Sequence, residues 1–206
     1  MKIKSIFIAL MAVLGLVSCS KDGSKTIQLD AFQAVEVDPA LVSNADDVQK
    51  LSELFSIVPG EYTISWTLLE EVPSLDNYAG TFTVKLKLNK KLKVNDKFIK
   101  EPENASHLTL VFTDADGNEI HGNWFSSEDV KNCSVNDSWF SKDLHMDFVK
   151  FLQSEPGTEM DVTFGTILAE HSNASCSQDI TDIQKAKGVK LKVSEYFVRD
   201  DVAFAE

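Results

Sequence analysis

Alternating apolar and polar residues mark most of the predicted strands of this chain. The clearest stretch is GTFTVKLKLN, residues 80–89, where every second side chain is large and apolar. These apolar positions, which share one face of an extended chain, are Phe82, Val84, Leu86 and Leu88. So strict a period of two is typical of an antiparallel sheet with one face in water. The same alternation predicts further strands at 26–37, 61–69, 107–113, 118–124, 159–168 and 188–198.

Two other stretches have apolar residues at helical spacing, and a Pro-Gly pair ends each of them. The first is residues 48–58, ending at Pro-Gly 59–60, and the second lies within residues 126–153, ending at Pro-Gly 156–157. The spaced apolar residues are Val48, Leu51, Phe55 and Val58, and then Leu144, Phe148, Phe151 and Leu152. Because a strand pattern follows each Pro-Gly pair, the chain is predicted to use one connecting device twice. An internal duplication is the alternative.

The predicted elements, about seven strands with short helices between them, favour a mainly β fold. A sheet with one apolar face must bury that face, and the common solution is two packed antiparallel sheets, an antiparallel β-sandwich. A chain of 206 residues can bury such a core without the help of a metal or a disulfide. We expect residues 26–206 to form this single domain.

The N-terminal residues have the pattern of a secretory signal. Lys2 and Lys4 form a basic head, and the 13 residues 5–17 that follow are mostly apolar. As a helix they would extend about 20 Å, which is short of the roughly 30 Å of a bilayer core. We therefore predict a signal peptide at residues 1–18 rather than a membrane span.

The apolar run ends in LVSC, residues 16–19, which resembles the lipobox of bacterial lipoproteins. The resemblance implies cleavage before Cys19, a diacylglyceryl group on its thiol and an acylated new N terminus. Two or three acyl chains anchor stably where one would not, because each buried methylene contributes about 0.8 kcal/mol. Residues 19–25 are small and polar and are predicted to be a flexible tether. The alternative is a plain signal peptide in which Cys19 has no special role.

The leader also carries a broader resemblance. Its lysine-rich start, the SCSKD stretch at 18–22 and the acidic body are similar to lipoproteins of Bacteroidota, among them uncharacterised β-sandwich lipoproteins of the cell envelope. This resemblance is specific only over the leader. It implies a lipid-anchored protein of the outer membrane that faces the periplasm or the cell surface.

The balance of charge limits the classes of partner. The formal net charge is −12, and cleavage before Cys19 would remove Lys2 and Lys4 and make it more negative still. Phosphate binding needs clustered lysine and arginine, so no nucleic-acid partner is expected. Attraction of the whole domain to an anionic membrane by charge is disfavoured as well, so the acyl chains are the predicted membrane contact.

Two cysteines remain after Cys19, and both lie in polar, loop-like sequence. In an exported chain, this favours a disulfide between Cys133 and Cys176. The bond would close a loop of about 44 residues and contribute about 4 kcal/mol in the chain-entropy model. Two free thiols are the alternative.

Two features suggest a metal ion, and neither is complete. DADGNE, residues 114–119, has the spaced carboxylates and the glycine that calcium prefers, but Phe125 stands where the twelve-residue calcium loop needs Glu. The same stretch lies between two predicted strands, where Asp-Gly is the usual hairpin signal, so we predict a hairpin turn. His107 and His121 could meet across that hairpin, but no third ligand is evident. No metal site and no cofactor are predicted.

A near-repeat of Trp and Phe is the feature most suggestive of a binding face. NWFSSEDV at 123–130 is echoed by SWFSKDL at 138–144, and in both a Trp-Phe pair precedes a serine that can cap a helical turn. Flat aromatic rings bury area at low entropy cost and suit sugars or peptides. The candidate ligand-binding residues are Trp124, Phe125, Trp139 and Phe140. The alternative is that both pairs pack the helical stretch against the core.

The sequence contains no nucleophile elbow GxSxG and no Cys-His arrangement of a recognisable enzyme family, so no catalytic residue is predicted. We expect a non-catalytic, lipid-anchored binding module of the cell envelope whose ligand is a glycan, a peptide or a protein. The alternative is a structural or assembly subunit of the envelope, such as a fimbrial-type protein. An exposed aromatic groove would favour the first, and a displaceable first or last strand would favour the second.

Overall fold

The computed structural model describes residues 22–41, 45–72, 75–94, 108–120, 124–125, 142–169, 177–193 and 202–204. This part of the chain is mainly β. Its strands are β1 Gly23–Leu29, β2 Gln33–Glu36, β3 Phe55–Ile57, β4 Gly60–Val72, β5 Leu75–Leu88, β6 Leu92–Val94, β7 Leu108–Thr113, β8 Trp124–Phe125, β9 Glu159–Ala169, β10 Ser177–Asp179, β11 Gly188–Val193 and β12 Val202–Phe204. Its helices are α1 Ala45–Ser52, α2 Lys142–Leu152 and α3 Ile180–Ile183, with a 3-10 turn at Pro39–Leu41.

Ten of these strands hydrogen-bond in the order β1-β4-β5-β3-β2-β11-β7-β8-β9-β10, and β6 pairs separately with β12. Two of the pairings, β2 with β11 and β9 with β10, are parallel. The sheet is therefore mixed, and the prediction of a purely antiparallel sheet is wrong. Alternation shows which face of a strand is wet but not which way its neighbour runs, and parallel neighbours need crossover connections that no local pattern marks. The face-to-face packing of a β-sandwich stays a prediction.

Strand β5 is the centre of this arrangement. One of its edges pairs with β9 from Asn77 to Lys87, while the other edge pairs first with β4 and then with β3. Following the pairings from β5 through β3, β2, β11, β7, β8 and β9 leads back to β5. The two-residue strand β8 has the fewest paired residues in this path, since only Phe125 pairs with β9.

The core lies where the alternation predicts it. The apolar residues of β5 from Phe82 to Leu88 are almost completely buried, while Thr83 and Lys85 between them are exposed. The Phe82 ring meets that of Phe112 on β7 edge to face, with the ring centroids 5.0 Å apart. The strands predicted at 61–69, 80–89, 107–113 and 159–168 are confirmed as β4, β5, β7 and β9, with small differences at their ends.

Several predicted boundaries differ from the structure. The strand predicted at 26–37 is two strands, β1 and β2, separated at residues 30–32. The helix predicted over 48–58 ends at Ser52, and Phe55–Ile57 forms β3 between β2 and β5. Phe55 and Ile57 are fully buried, so an apolar run at helical spacing serves equally well as a short strand covered on both faces. Of the strand predicted at 188–198, Gly188–Val193 forms β11, and the rest lies outside the described residues.

The strands give the sheet two ends. The first, termed the Gly23 end, holds the start of β1 at Gly23, the facing residues Val72 and Leu75 of β4 and β5, and the turn 114–117 after β7. The opposite one, termed the Pro-Gly end, holds the Pro-Gly pairs 59–60 and 156–157 and the last residues of β5. One row across four strands near the Gly23 end consists of Gly23, Trp66, Gly80 and Thr166.

The second Pro-Gly stop is confirmed, since α2 ends at Leu152 shortly before it, but the first is wrong as a helix stop, because β3 lies between α1 and that pair. Both pairs close on the end of β5. The Val58 amide donates to the carbonyl of Lys85 at 2.9 Å, and the Gly157 amide donates to the carbonyl of Leu88 at 2.7 Å. Inside the core, the Phe55 ring packs edge to face against Phe148 of α2, with centroids 6.0 Å apart. The repeated order of features therefore brings two distant parts of the chain to one place.

Candidate functional site

The first Trp-Phe pair forms strand β8 between β7 and β9. Trp124 lies in register with Leu110, which is buried, and Phe125 lies in register with Thr109, which is partly exposed. On its other side, Phe125 faces Gly165 of β9. The pair is thus part of the sheet and not of a free loop.

The burial of Gly165 indicates that another group covers this face of β9 next to β8. Asp161 and Thr163 lie on the same face of β9 and are exposed, yet Gly165 is buried. A glycine inside a strand commonly marks a place where a neighbouring group approaches closely, and an aromatic residue directly opposite is a known partner for it. The register of Phe125 with Gly165 therefore favours packing over ligand binding for this member of the pair.

The other predicted site residues lie outside the described part of the chain. They are Cys19, Cys133, Cys176, Trp139 and Phe140. Lipidation of the first, a bond between the next two and ligand binding by the last two all stay predictions. Of the histidines, only His145 on α2 lies in the described part, where it is buried, while His107 and His121 lie outside it.

The hairpin turn predicted at Asp114 is confirmed. The Asp114 carboxylate accepts hydrogen bonds from the Asp116 amide and the Asn118 amide, both at 2.9 Å, and from the Asn118 side-chain amide at 3.1 Å. Gly117 has a φ of +83°, a conformation that glycine adopts without steric cost. The pKa of Asp114 lies below its usual value, chiefly because of the side-chain bond to Asn118. The carboxylate that might have bound calcium therefore serves to build the turn.

A second carboxylate of that stretch, Glu119, is also engaged. Glu119 accepts bonds from Lys192 at 2.9 and 3.0 Å and from Lys190 at 3.2 Å. These lysines, first of all Lys192, hold the pKa of Glu119 below its usual value. Across the described ranges, His, Cys, Asp and Glu side chains nowhere gather in threes in a way that could hold a metal ion.

Strand β1 begins earlier than the sequence indicates. Residues 23–25, predicted as part of the tether, pair with β4, so the tether prediction is wrong for them. The physical reason is packing: a Cβ on Gly23 would come within 2.6 Å of the Trp66 indole, so the ring lies directly on the glycine backbone. One residue earlier, the Asp22 carboxylate accepts a bond from the Leu68 amide at 2.7 Å. Three residues after Cys19, the chain is thus already held to β4.

Strand β1 lies at one edge of the ten-stranded sheet, and it carries a lysine on the face that points toward the core. Lys25 shares the face of Ile27 and Leu29, both buried, and its ammonium donates to the carbonyl of Gln184 just after α3. Burial, and then the charge of Lys187, lower the pKa of Lys25. An inward charge on an edge strand hinders the addition of a further strand, and no sequence pattern pointed to it.

One large apolar side chain is exposed in the described part of the chain. Phe32, in the link between β1 and β2, is 54% exposed, and the ammonium of Lys87 lies 5.3 Å from its ring centroid. Single exposed apolar residues are common on soluble proteins, so Phe32 by itself is not a binding site.

Comparison of this chain with family models, with curated proteins and with solved structures finds no match. Within the ranges that the structure describes, none of the helices is both long and apolar enough to span a bilayer.

Proposed function

We propose that this protein is a lipid-anchored binding module of the bacterial outer membrane, facing the periplasm or the cell surface, with a non-catalytic role. The observation that carries the proposal is the lipobox-like LVSC at residues 16–19, together with the contact of the Asp22 carboxylate with the Leu68 amide only three residues after Cys19. Acyl chains on Cys19 would then hold a folded domain at the membrane. A β-sandwich packing of the sheet belongs to the same proposal.

Acylation is tested by metabolic labelling with an alkyne-tagged fatty acid in a Gram-negative host that processes lipoproteins. The full chain should carry the label and float with membranes, and Cys19→Ser should lose both. Cys133→Ser is the matched control, because a cysteine outside the leader should not affect labelling. An unlabelled full chain that is cleaved and released would rule out the anchor.

The proposed ligand is a glycan or a peptide that stacks on aromatic rings, or a protein that presents such a group. Because the register of Phe125 with buried Gly165 favours a packing role for the first pair, the second pair, Trp139 and Phe140, is the better candidate for ligand contact. The probe is a panel of immobilised glycans and peptides, screened with the Cys19→Ser protein.

Matched variants separate the two roles. Trp139→Ala should abolish binding to whichever panel member is retained, while changing the free energy of unfolding by less than about 1 kcal/mol, as is usual for a surface substitution. Phe125→Ala should instead lower the free energy of unfolding by several times that amount. If Trp139→Ala unfolds the domain as readily as Phe125→Ala does, both pairs pack the core and the aromatic platform is wrong.

One observation favours the alternative, a structural or assembly subunit. The first strand, β1, lies at an edge of the sheet, as strand exchange between subunits requires. The final predicted strand, β11, lies between β2 and β7 and is not an edge, and the inward Lys25 hinders strand addition at β1. The test is the mass of the Cys19→Ser protein in solution: concentration-dependent oligomers that increase in Lys25→Thr would support the subunit role.

A further inference from the structure

We infer that the anchored domain sits with its Gly23 end against the bilayer and presents its Pro-Gly end, with α2, to the outside. This inference rests on the proposed acylation of Cys19 and adds to it the surface that meets the lipid. The partner at the Gly23 end is the headgroup layer of the membrane itself.

The distance between anchor and domain is short. Three peptide units separate Cys19 from Asp22, and each spans at most about 3.6 Å, so the two Cα atoms lie within roughly 11 Å of each other whatever the path between them. One headgroup layer is about 5–8 Å deep, half the difference between a bilayer of about 40–45 Å and its hydrocarbon core of about 30 Å, so this reach ends in or just outside that layer. The start of the ordered domain is therefore held at the membrane surface.

The reach of the anchor cannot be lengthened by release of the first strand, because the first residues of the domain are held to it. The Asp22 carboxylate binds the Leu68 amide, and the Trp66 indole lies on the backbone of Gly23. Two residues further on, the Lys25 ammonium binds the carbonyl of Gln184. Seven consecutive register pairs with β4 hold the rest of β1. The Gly23 end is thus kept next to the anchor.

Register shows what else lies at this end. Thr109 of β7 is level with Gly165 of β9 through Phe125, and Gly165 is next to the row that contains Gly23. Since β7 runs toward the Gly23 end, the turn 114–117 that follows it reaches the same end. The ends of β4 and β5 at Val72 and Leu75 project there as well. These segments form the surface expected to face the headgroups.

The opposite surface lies far from the membrane. Gln153, after α2, precedes the start of β9 at Glu159, six residues from Gly165 on the side away from Gly23. The register followed through β8 puts the turn at Asp116 about ten residues along the strands from Gln153, and the register followed through β2 and β11 puts it about six residues away. At about 3.3 Å per residue, this is a separation of roughly 20–30 Å. Strand β8 runs toward this distal end. A ligand in solution would meet that end first.

The test uses the full acylated chain reconstituted in vesicles that contain headgroup-labelled acceptor lipids. A donor dye is placed by maleimide at Asp116→Cys or at Gln153→Cys, two exposed positions at opposite ends, and the parent protein supplies the background from its own cysteines. Energy transfer from position 116 should exceed that from position 153 about twofold or more, given the separation of roughly 20–30 Å along the strands. Equal transfer from both positions would overturn the inference.

Two controls separate this result from failure of the anchor. Cys19→Ser should fail to float with the vesicles, and if it floats as the parent does, then the proposed acylation is wrong and not merely the orientation. Insertion of twenty glycine and serine residues after Lys21 keeps the anchor but lengthens the reach, so the chain should still float while transfer from the two positions becomes nearly equal. A difference between the positions that persists with the insertion would mean that something other than the short reach orients the domain.

Discussion

The segments 45–66 and 142–164 have the same order of features, a helix, a Pro-Gly pair and an alternating strand, but they fold differently in between. In the first, strand β3 is inserted between α1 and the Pro-Gly pair, and Gly60 begins β4. In the second, α2 runs directly into a tight turn where Gly157 has a φ of +95°. The same local signals thus give a strand in one segment and a turn in the other. The difference is that residues 55–57 lie between two strands, β2 and β5, and pair with both of them.

The two helices also differ in how much they bury. In α2, Phe148 and Leu152 have no exposed surface and Phe151 very little, whereas in α1 Leu51 is buried and Val48 only partly so. The second segment therefore contributes more of the core. Substitutions at matched positions of the two segments should show this difference.

The largest effect is expected at the helices. Phe148→Ala should lower the free energy of unfolding by about 3–5 kcal/mol, because it removes a fully buried ring and leaves a cavity. Val48→Ala in α1 should cost about 1 kcal/mol or less, since its side chain is only partly buried. Urea unfolding followed by tryptophan fluorescence measures both, and equal losses would contradict the assignment of α2 as the larger contributor.

The next effect concerns the two glycines. Gly157→Ala should destabilise by about 1–2 kcal/mol, because a Cβ is disfavoured at positive φ. Gly60→Ala is the matched control, where the nearest atom to a new Cβ is Tyr62 Cε2 at 3.8 Å and the change should stay within about 0.5 kcal/mol. Thermal unfolding of the pair decides the point, and a greater loss in Gly60→Ala would show that the first Pro-Gly pair is the more constrained one.

A smaller effect should report contact between the segments. The Phe55 ring touches Phe148 and also Phe151, so the two segments meet inside the core. A double-mutant cycle of Phe55→Leu and Phe148→Leu should give a coupling free energy of about 0.5–1.5 kcal/mol. Strict additivity of the two single changes would mean that each segment packs independently.

The smallest effect concerns the ion pairs that tie each segment to the end of β5. Lys90 pairs with Glu53 of the first segment and Lys91 with Glu155 of the second, all four side chains being well exposed. The bond from Lys90, and then that from Gln49, lower the pKa of Glu53. The stabilising contribution of this carboxylate is therefore complete above the usual pKa of Glu and is lost as the pH falls through the lowered value.

A carboxyl-detected NMR titration checks this assignment. In Lys90→Met the pKa of Glu53 should rise toward the usual value, and in the control Lys91→Met it should not change. A Glu53 that titrates alike in all three proteins would show that the pair is not formed in solution. The overall stability should change little in either variant, because solvent screens exposed ion pairs and ordering two long side chains offsets their attraction.

Much of the local structure can be read from single stretches of sequence. The period of two in β4 and β5 identifies their buried faces, and the Asp-Gly pair at 116–117 identifies the hairpin turn. The first Trp-Phe pair of the repeat, a candidate site in the sequence, forms β8. Its register with Gly165 could not be foreseen, because it depends on β9, some forty residues along the chain. Lys25 was missed for a related reason: a polar residue next to a leader has the composition of a tether until β4 and Gln184 are placed beside it.

By itself, the sequence determined which side chains of each strand are buried, where the two Pro-Gly pairs end an element, and that Cys19 directly follows an apolar leader. Side-chain periodicity, the φ preferences of proline and glycine, and a short motif are all properties of adjacent residues. Only the tertiary structure decided that β2 and β11 are parallel neighbours, that Phe55–Ile57 is a strand, and that Asp22 and Gly23 are held to β4. Strand pairing uses backbone amides and carbonyls that are nearly the same at every residue. The choice of partner is therefore made by the packing of the whole core and not by any one segment.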